Sequence, residues 1–298
     1  MVTRRSAFAL TLAASIAFSA SAFAQKDKKQ DEAQKKEIQA VVKIVDAAAA
    51  GGALADDLGL AWAHDDVMKA QGNKQYVPFI VKADASKVAG SNVAMYWRVV
   101  SQNPAPVDPK AKDKKKNDYA YEDVTFQAIT AGQPLQIARS FTVAAGTYDV
   151  FVVVKEPVPS QKNAPAPKMS VMKHTIVVPD FWNGELSTSS VIVAGKIEPL
   201  PAPLTPQQQA DRPYAMGAME ITPVIDMKMP KKAELSTFML IYNPKVDSAN
   251  KPDVTVEYNF CQKAEGSTPK EGEACKAGEK FFNKPNPQNL NAQTLPTI

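Results

Sequence analysis

VAMYWRV (Val93–Val99) and VTVEYNF (Val254–Phe260) are two stretches of the chain that share one pattern. Apolar side chains occupy alternate positions in both stretches, and this period of two predicts a β-strand that buries one face. An apolar strand precedes each stretch at a similar distance, YVPFIV from Tyr76 and STFMLIY from Ser236. The sequence therefore predicts two tandem β modules.

The first module is predicted over residues 53–180. Turn signals such as Gly72-Asn73 and Ala145-Gly146 separate short apolar segments, and no helical pattern lies between them. These segments predict seven strands, at residues 59–68, 76–83, 93–102, 119–129, 135–143, 147–155 and 168–178. Many short strands with glycine and proline turns are typical of a sandwich. We therefore predict an all-β fold of tandem immunoglobulin-like antiparallel β-sandwich modules.

The second module is predicted over residues 214–298, after a connector with a proline-rich linker at residues 181–213. It repeats the first module and then stops early, since 83 residues follow Trp97 up to the end of the first module at Asp180 but 40 follow Tyr258. The pattern predicts that the C-terminal strands of this module are missing. Two interpretations are open: truncation of the chain, which we favour, or a partner that supplies the strands by β-augmentation.

The first 24 residues predict a signal peptide. Arg4 and Arg5 give a charged start, residues 7–20 are apolar, and residues 22–24 form an A-x-A cleavage site. The arginine pair resembles a twin-arginine signal, but the residues after it depart from that motif, which favours the Sec-type route. We therefore expect a protein that is exported to the periplasm or secreted, with cleavage after Ala24.

Residues 25–52 comprise a charged segment and an amphipathic helix. Apolar residues recur at helical spacing on one stripe, and Gly51 and Gly52 follow the last of them. The stripe consists of Ile38, Val41, Val42, Val45, Ala48 and Ala49. A helix packed on the first module is favoured, and a partner-binding or coiled-coil helix is the alternative.

Charge and hydropathy exclude two classes of partner. The chain has 35 basic and 31 acidic residues, and removal of residues 1–24 takes away two arginines, which leaves a net charge of about +2. Such a small net positive charge argues against nucleic-acid binding. No segment after the signal peptide offers roughly eighteen consecutive apolar residues, so we expect no transmembrane span.

The two cysteines, Cys261 and Cys275, both lie in the second module, where a hairpin would bring its arms together. Export permits a disulfide between them, and closing such a loop contributes about 3 kcal/mol in the chain-entropy model. A metal site is the alternative, but it would need more ligands, and no histidine lies nearby. A disulfide is therefore the favoured prediction.

Two loops and one tryptophan are the candidate ligand-binding features. Residues 104–118 and 157–168 are proline-rich and carry lysines, which is typical of solvated loop tips, although binding loops have this composition too. Trp62, Trp97 and Trp182 could line a sugar-binding platform. Trp97 belongs to the buried strand pattern, so Trp182, in DFWNGE, is the weak ligand candidate that we retain.

The chain offers little catalytic chemistry. Its two histidines are His64, beside Asp65 and Asp66, and His174, which we expect on the outward face of a strand. On a strand, the side chains of His64 and Asp65 would point to opposite faces, because consecutive residues alternate. No GxSxG, glycine-rich phosphate loop, HExxH, EF-hand or CxxC motif occurs. A pair of catalytic carboxylates of the glycosidase type stays an open alternative, since the two residues of such a pair are defined by their distance in space and not by their spacing in the sequence. We predict no enzyme, no cofactor and no metal site.

Several segments resemble a known group of proteins. AGTYDVFVVVKE, VPDFWNGELSTSSVIVAGKIEPL, PYAMGAMEITPV and ELSTFMLIYNP, within residues 140–260, are similar to β-sandwich regions of exported bacterial von Willebrand factor A-related and GWxTD-domain proteins. The chain lacks the GWxTD motif and the DxSxS loop, so the activities proposed for that group do not carry over. The resemblance implies immunoglobulin-like modules in an exported protein.

These observations together predict an exported, non-catalytic structural or interaction protein. Its partner would be another exported protein or a cell-surface component. One alternative is a carbohydrate- or peptide-binding module that uses the sandwich loops or Trp182. Another is a periplasmic chaperone or assembly subunit that accepts a donor strand.

Overall fold

The computed structural model describes residues 32–104, 119–130, 133–159, 164–248, 250–268 and 274–291. Among these described residues, strands account for 44% and helices for 11%, so the predicted all-β class is confirmed. No helix within these ranges is long and apolar enough to cross a bilayer. The described residues form two compact units, a larger one of residues 32–184 and 188–240 and a smaller one of residues 185–187 and 241–291.

The larger unit contains a sandwich of two antiparallel sheets. Its first elements are α1 (Glu32–Ala49), β1 (Ala61–Asp65), β2 (Met68–Lys69), β3 (Gln75–Ala83), β4 (Asn92–Ser101), β5 (Tyr121–Ala128), β6 (Leu135–Val143), β7 (Gly146–Lys155) and β8 (Met169–Val178). In one sheet, β1 and β2 pair with one edge of β3, and β6 pairs with the other. The other sheet has the order β5-β4-β7-β8. These strands follow the seven predicted strands, with the first one divided between β1 and β2.

Trp97 of β4 lies in the core between the two sheets. It is 2% exposed, and Met95 and Val99 on the same face of β4 are buried with it. Phe79 of β3 meets Trp97 edge-on, with the ring centroids 6.0 Å apart. Such an arrangement of aromatic rings contributes about 0.5–1.5 kcal/mol beyond the area that it buries. The period-two pattern of the sequence therefore identified the inner face of this strand.

Tyr148 closes the tight turn between β6 and β7. Its hydroxyl donates a hydrogen bond of 3.0 Å to the carbonyl of Ala144. Gly146 adopts a φ of 152°, a conformation that favours glycine. A Cβ at this position would stand 3.4 Å from the ring of Tyr148. This is an ordinary van der Waals distance, so the backbone conformation, and not the ring, is what favours glycine at this turn.

The helix α1 covers the outer face of the β5-β4-β7-β8 sheet. Val41, Val45 and Ala48 form its buried stripe. They pack in one cluster with Ala94, Tyr96, Phe151, Val153 and Val171 of the sheet. The predicted amphipathic helix is thus present over Glu32–Ala49, and Val41, Val45 and Ala48 of its predicted stripe are buried within the unit, whereas Ala49 is exposed.

Two ion pairs hold α1 on this sheet. Near its start, the Lys155 Nζ lies 2.9 Å from Glu37 Oε2, and both side chains are almost fully buried. Glu37 also accepts a hydrogen bond from the N–H of Val158, at 2.6 Å. Near its end, Arg98 donates to Asp46 across 2.5 Å. Because buried charges destabilise unless they are paired, these contacts fix the position of the helix.

A third sheet covers the outer face of the β1-β3-β6 sheet. The elements concerned are β9 (Ser187–Thr188), β10 (Ile192–Pro199), α2 (Pro206–Asp211), β11 (Ala215–Met216), β12 (Met219–Pro223) and β13 (Ser236–Phe238). Four of these strands pair in the order β11-β12-β10-β13. Their buried side chains, among them Ile192 and Ile221, share a core with Tyr76 and Ile80 of β3. Both faces of β3 are therefore buried.

This third sheet differs from the predicted module boundary. The sequence analysis assigned residues 214–240 to a second module, whereas they belong to the larger unit. The reason is packing, because Tyr214 and Met216 are buried against the outer face of β3 and not in a core of their own. The period of a strand indicates which side chains are buried but does not indicate which sheet covers them.

The smaller unit contains short strands with almost no core. Its strands are β14 (Ile241–Tyr242), β15 (Val254–Val256), β16 (Phe260–Lys263), β17 (Glu279–Asn283) and β18 (Gln288–Leu290). β15 pairs with β18, and β16 pairs with β17. Among the described residues from 241 to 291, Cys275 alone is buried. The stretch Val254–Phe260 thus adopts a shorter strand than Val93–Val99, and the tandem immunoglobulin-like organisation stays a prediction.

The buried side-chain amide of Gln75 in the sandwich lacks hydrogen-bond partners within the described part of the chain. Gln75, at the start of β3, is 0% exposed, and none of the described residues hydrogen-bonds its amide. An unsatisfied buried amide costs about 1–3 kcal/mol. We therefore expect Gln75→Met, which keeps the volume and removes the amide, to raise the free energy of unfolding by about 1–2 kcal/mol.

Denaturant unfolding would measure this change. The matched control is Gln136→Met on β6, where the side chain is exposed and we expect a change within about 0.5 kcal/mol. A Gln75→Met protein that is less stable than the wild type would show that the amide is satisfied in solution.

Candidate functional site

The strongest cluster of chemically active side chains lies at the β1 edge of the larger unit. His64 Nε2 is 2.8 Å from Asp66 Oδ2. The hydroxyl of Tyr214 donates to the same carboxylate oxygen across 3.1 Å. Asp66 is 2% exposed, and its backbone N–H donates to the carbonyl of Pro78. The cluster therefore connects β1 to the residue that precedes β11.

Asp65 belongs to a second group, on the other side of β1. Its Oδ1 accepts a hydrogen bond of 2.7 Å from the indole N–H of Trp62 and lies 3.9 Å from His174 Nε2. The Trp62 ring is stacked between Phe79, at 4.8 Å, and His174, at 4.3 Å. His64 and Asp65 are thus separated, as the alternation of a strand requires.

His174 is placed differently from our expectation. The sequence predicted an outward-facing histidine on the last strand, whereas the ring lies against Trp62 at the edge of the sandwich. Both faces of the Trp62 ring are occupied, so Trp62 does not offer a platform to a ligand. The contact between β8 and β1 is not local in sequence, and no motif in the chain signals it.

The two histidine–aspartate pairs act as structural contacts in this geometry. Asp66 accepts a hydrogen bond from Tyr214 and lies 2.8 Å from His64 Nε2, within the layer between two sheets, where a substrate would displace packed side chains. The hydrogen bond to Asp66 raises the pKa of His64, and burial opposes this effect. Burial is also the main cause that raises the pKa of Tyr214. The arrangement favours a charged His64 that is paired with Asp66.

This pairing predicts a pH dependence of stability. Because the pKa of folded His64 is raised above its ordinary value of 6.5, the stability that His64 contributes is complete below pH 6.5 and is lost as the pH rises through the folded pKa. We expect the wild-type protein to lose stability over this range relative to His64→Gln. Chemical denaturation from about pH 5 to pH 9 would measure it. The same pH profile in both proteins would show that His64 is not paired in solution.

Trp182, the predicted ligand candidate, is partly exposed but held by its neighbours. It keeps 41% of its surface accessible. Its indole N–H donates to the carbonyl of Lys74 across 3.2 Å. The Lys69 Nζ lies 4.2 Å from the ring centroid, a cation–π contact. One face of the ring is therefore covered, and the other face is the one that a ligand could reach.

The proline-rich loops contribute little to a described site. Residues 105–118 and 160–163 lie outside the described residues.

A shallow groove of about 880 Å³ lies between the β3–β4 and β5–β6 connections and is lined mainly by alanine, serine and other small residues. Asp84, an acid in this groove, accepts hydrogen bonds from the backbone and hydroxyl of Ser86. The groove therefore presents few groups that could bind a ligand specifically.

Cys261 and Cys275 form a disulfide in the smaller unit, with Cα atoms 5.7 Å apart. The described residues place Glu279 beside them, and the three ligand atoms lie within 4.8 Å of one another. A metal would need thiolates, and bonded sulfurs have none to offer. The geometry therefore agrees with the predicted disulfide, and the alternative of a metal site would require its reduction.

Phe282 stands at a β-bulge beside this disulfide. Cys261 pairs with Phe281 and Phe260 pairs with Asn283, so Phe282 is the extra residue of β17. A bulge re-aims the side chain that it carries. Phe282 is 71% exposed and Phe260 is 37% exposed. The sequence pattern predicted a buried Phe260, and this prediction was wrong because the strand from Val254 ends at Val256.

Comparison of the chain with protein-family models, with curated proteins and with solved structures finds no match to any of them. The function therefore rests on the geometry of these residues.

Proposed function

We propose that this is an exported, non-catalytic interaction protein. Its binding surface is the hairpin of β16 and β17, and the larger unit acts as its support. The observation that carries this proposal is Phe282, which lies at a bulge of a disulfide-linked hairpin with 71% of its surface exposed. Aromatic side chains dominate the binding energy of many interfaces, and a rigid backbone lowers the entropy lost on binding.

The rest of the smaller unit supports the proposal. Because Cys275 alone is buried among its described residues, the apolar side chains of the hairpin have little core of their own to enter. A partner with an apolar pocket would bury Phe282 and Phe260 together. Lys280 lies exposed on the same strand, so acidic groups around the pocket would favour binding.

The proposed location agrees with the disulfide and with the signal peptide predicted at residues 1–24. Disulfides persist in oxidising compartments such as the periplasm and the cell exterior. The partner would then be another exported protein or a component of the cell surface.

We further propose that the sandwich of the larger unit is immunoglobulin-like. Its sheets have the orders β1-β3-β6 and β5-β4-β7-β8, a two-sheet antiparallel sandwich that resembles immunoglobulin-like domains, with β5 paired to β4 and not to β6 as the constant type would have it. Two further features of that fold are present, a buried tryptophan on the third main strand (Trp97) and a tyrosine whose hydroxyl bonds back to the preceding turn (Tyr148). Domains of this kind are common supports for binding loops and hairpins.

Cross-linking to envelope proteins tests the binding proposal. Phe282→Ser is compared with Phe126→Ser, an exposed phenylalanine of β5 in the larger unit. We expect a defined partner to cross-link to the wild type and to Phe126→Ser, and to be lost with Phe282→Ser. Equal cross-linking by all three proteins would contradict the hairpin as the surface. Turnover of a peptide, ester or glycan that is lost with His64→Gln would contradict the absence of catalysis.

Glycan binding at Trp182 is a second candidate function, favoured by the exposed face of its ring. It would be supported by fluorescence quenching with a glycan panel that disappears in Trp182→Ala. Quenching that persists in this variant would assign the effect to another tryptophan.

A further inference from the structure

The outer edge of β8 is covered over only part of its length. At its start, the N–H of Val171 donates to the carbonyl of Ala55 across 2.7 Å, and the N–H of Asp57 donates to the carbonyl of Met169 across 3.0 Å. Because backbone groups alternate along a strand, the N–H and C=O groups of Lys173, Thr175 and Val177 point the same way, away from β7. Within the described ranges, no strand pairs with this part of β8.

This open edge lacks the features that protect exposed strands. β8 contains no proline, and its pairing with β7 runs without a bulge from Gly146↔Val178 to Lys155↔Met169. Its one lysine in the open part, Lys173, is neutralised by Asp149 at 2.8 Å. Val177 is 69% exposed. Natural sheet edges usually carry unpaired charges, prolines or bulges, and an edge without them is ready to accept another strand.

We propose that this edge pairs in antiparallel orientation with the same edge of a second copy of the chain. The open stretch runs from Met172 to Val178, because Ala55 covers Val171 and a proline, Pro179, follows Val178. Its middle residue is Thr175. A two-fold axis at Thr175 places residue 171 of one copy opposite residue 179 of the other. Val171, whose edge Ala55 covers, and Pro179 therefore both lie outside the paired stretch.

The register is self-complementary in its backbone groups as well. With the axis at Thr175, Lys173 of one copy faces Val177 of the other, and Thr175 faces its own equivalent. All three residues turn their free backbone groups to this edge, so each facing pair can exchange two hydrogen bonds. A two-fold contact requires such a surface, whereas a strand from an unrelated protein does not. This is the reason to favour a second copy as the occupant.

The side chains fit this pairing. Threonine pairs facing each other across antiparallel strands are favourable. The methylene groups of Lys173 can cover the exposed Val177 of the other copy while the ammonium stays with Asp149. A single pair of strands buries less than the roughly 1,200 Å² of a standard interface, so we expect a dissociation constant of about 10–100 μM.

Analytical ultracentrifugation of the purified chain, from about 1 μM to about 500 μM, tests the proposal. Val177→Lys places a second lysine opposite Lys173 of the other copy, and Thr175→Pro removes the N–H at the axis. Val191→Lys is the matched control, because Val191 is also exposed in the larger unit but lies outside β8. We expect a reversible dimer whose dissociation constant rises at least about tenfold in both β8 variants and stays within about twofold in the control.

Hydrogen exchange supplies a second measurement at the same concentrations. In the dimer, the amides of Lys173, Thr175 and Val177 should exchange more slowly than in dilute protein. A monomer at every concentration would overturn the proposal. A dimer whose dissociation constant is the same in both β8 variants as in the wild type would also overturn it. So would a protein that stays monomeric and whose β8 amides are protected from exchange only when a peptide from another protein is added.

Discussion

Replacing Glu37 by glutamine is expected to lower the free energy of unfolding by about 3–5 kcal/mol. Lys155, the last residue of β7, has an almost fully buried side chain, and the carboxylate of Glu37 on α1 lies 2.9 Å from its Nζ. The remaining contact of the ammonium is the carbonyl of Glu156, at 2.8 Å. Glutamine keeps the shape of Glu37 but removes the charge, which leaves the buried ammonium without a counter-ion. Thermal and denaturant unfolding would measure the loss.

Two further variants separate this effect from a general weakening of the helix. Glu32→Gln removes an exposed carboxylate of the same helix, so we expect less than about 0.5 kcal/mol of change. The double variant Glu37→Gln/Lys155→Met removes both charges and is expected to be more stable than Glu37→Gln alone. Glu37→Gln at wild-type stability would mean that the helix does not bury this pair.

Trp97→Ala is expected to destabilise the protein by about 3–5 kcal/mol, whereas Tyr258→Ala is expected to cost less than about 1 kcal/mol. The two residues occupy equivalent positions in the repeated pattern of the sequence. Trp97 is the largest fully buried side chain of the described residues and contacts Phe79. Tyr258 is half-buried, in a segment without a core. Truncation of Trp97 leaves a cavity in the core, whereas truncation of Tyr258 changes a side chain that is already partly exposed to solvent.

Denaturant unfolding of both variants, monitored by circular dichroism, would measure this difference. Phe79→Ala serves as a reference for a cavity in the same core and is expected to match Trp97→Ala within about 1–2 kcal/mol. Equal losses for Trp97→Ala and Tyr258→Ala would indicate that the second stretch has a core of its own, as the tandem prediction requires.

The sandwich could be predicted from sequence because its signals are local. The alternation around Trp97 and the turn at Gly146 each depend on a few neighbouring residues. The third sheet could not be assigned in this way, because its partner on β3 is distant in the chain. One signal was available: YVPFIV is apolar without alternation, which is typical of a strand buried on both faces, and the structure buries Tyr76 and Ile80 on one face and Phe79 on the other.

The candidate sites likewise include contacts that are local in sequence, which could be predicted, and contacts that depend on packing or register, which could not. His64 lies on β1 and Asp66 directly follows this strand, two positions further on, so their proximity follows from the period of an extended chain. The stacking of His174 on Trp62 depends on the packing of two sheets, which the sequence does not reveal. The exposure of Phe282 depends on a bulge, and a bulge is set by the register between two strands. The disulfide was predictable because the cysteine count, taken with the predicted export, leaves few alternatives.

Native-state hydrogen exchange on the intact protein tests the central claim, that the larger unit is a packed support and the smaller unit presents a surface with little core. The amides of β4 and β7 are expected to exchange only through global unfolding, and those of β15 and β16 to exchange at least about a hundredfold faster. Protection of β15 and β16 equal to that of β4 would contradict the account, because it would require a core that the described residues 241–291 do not have.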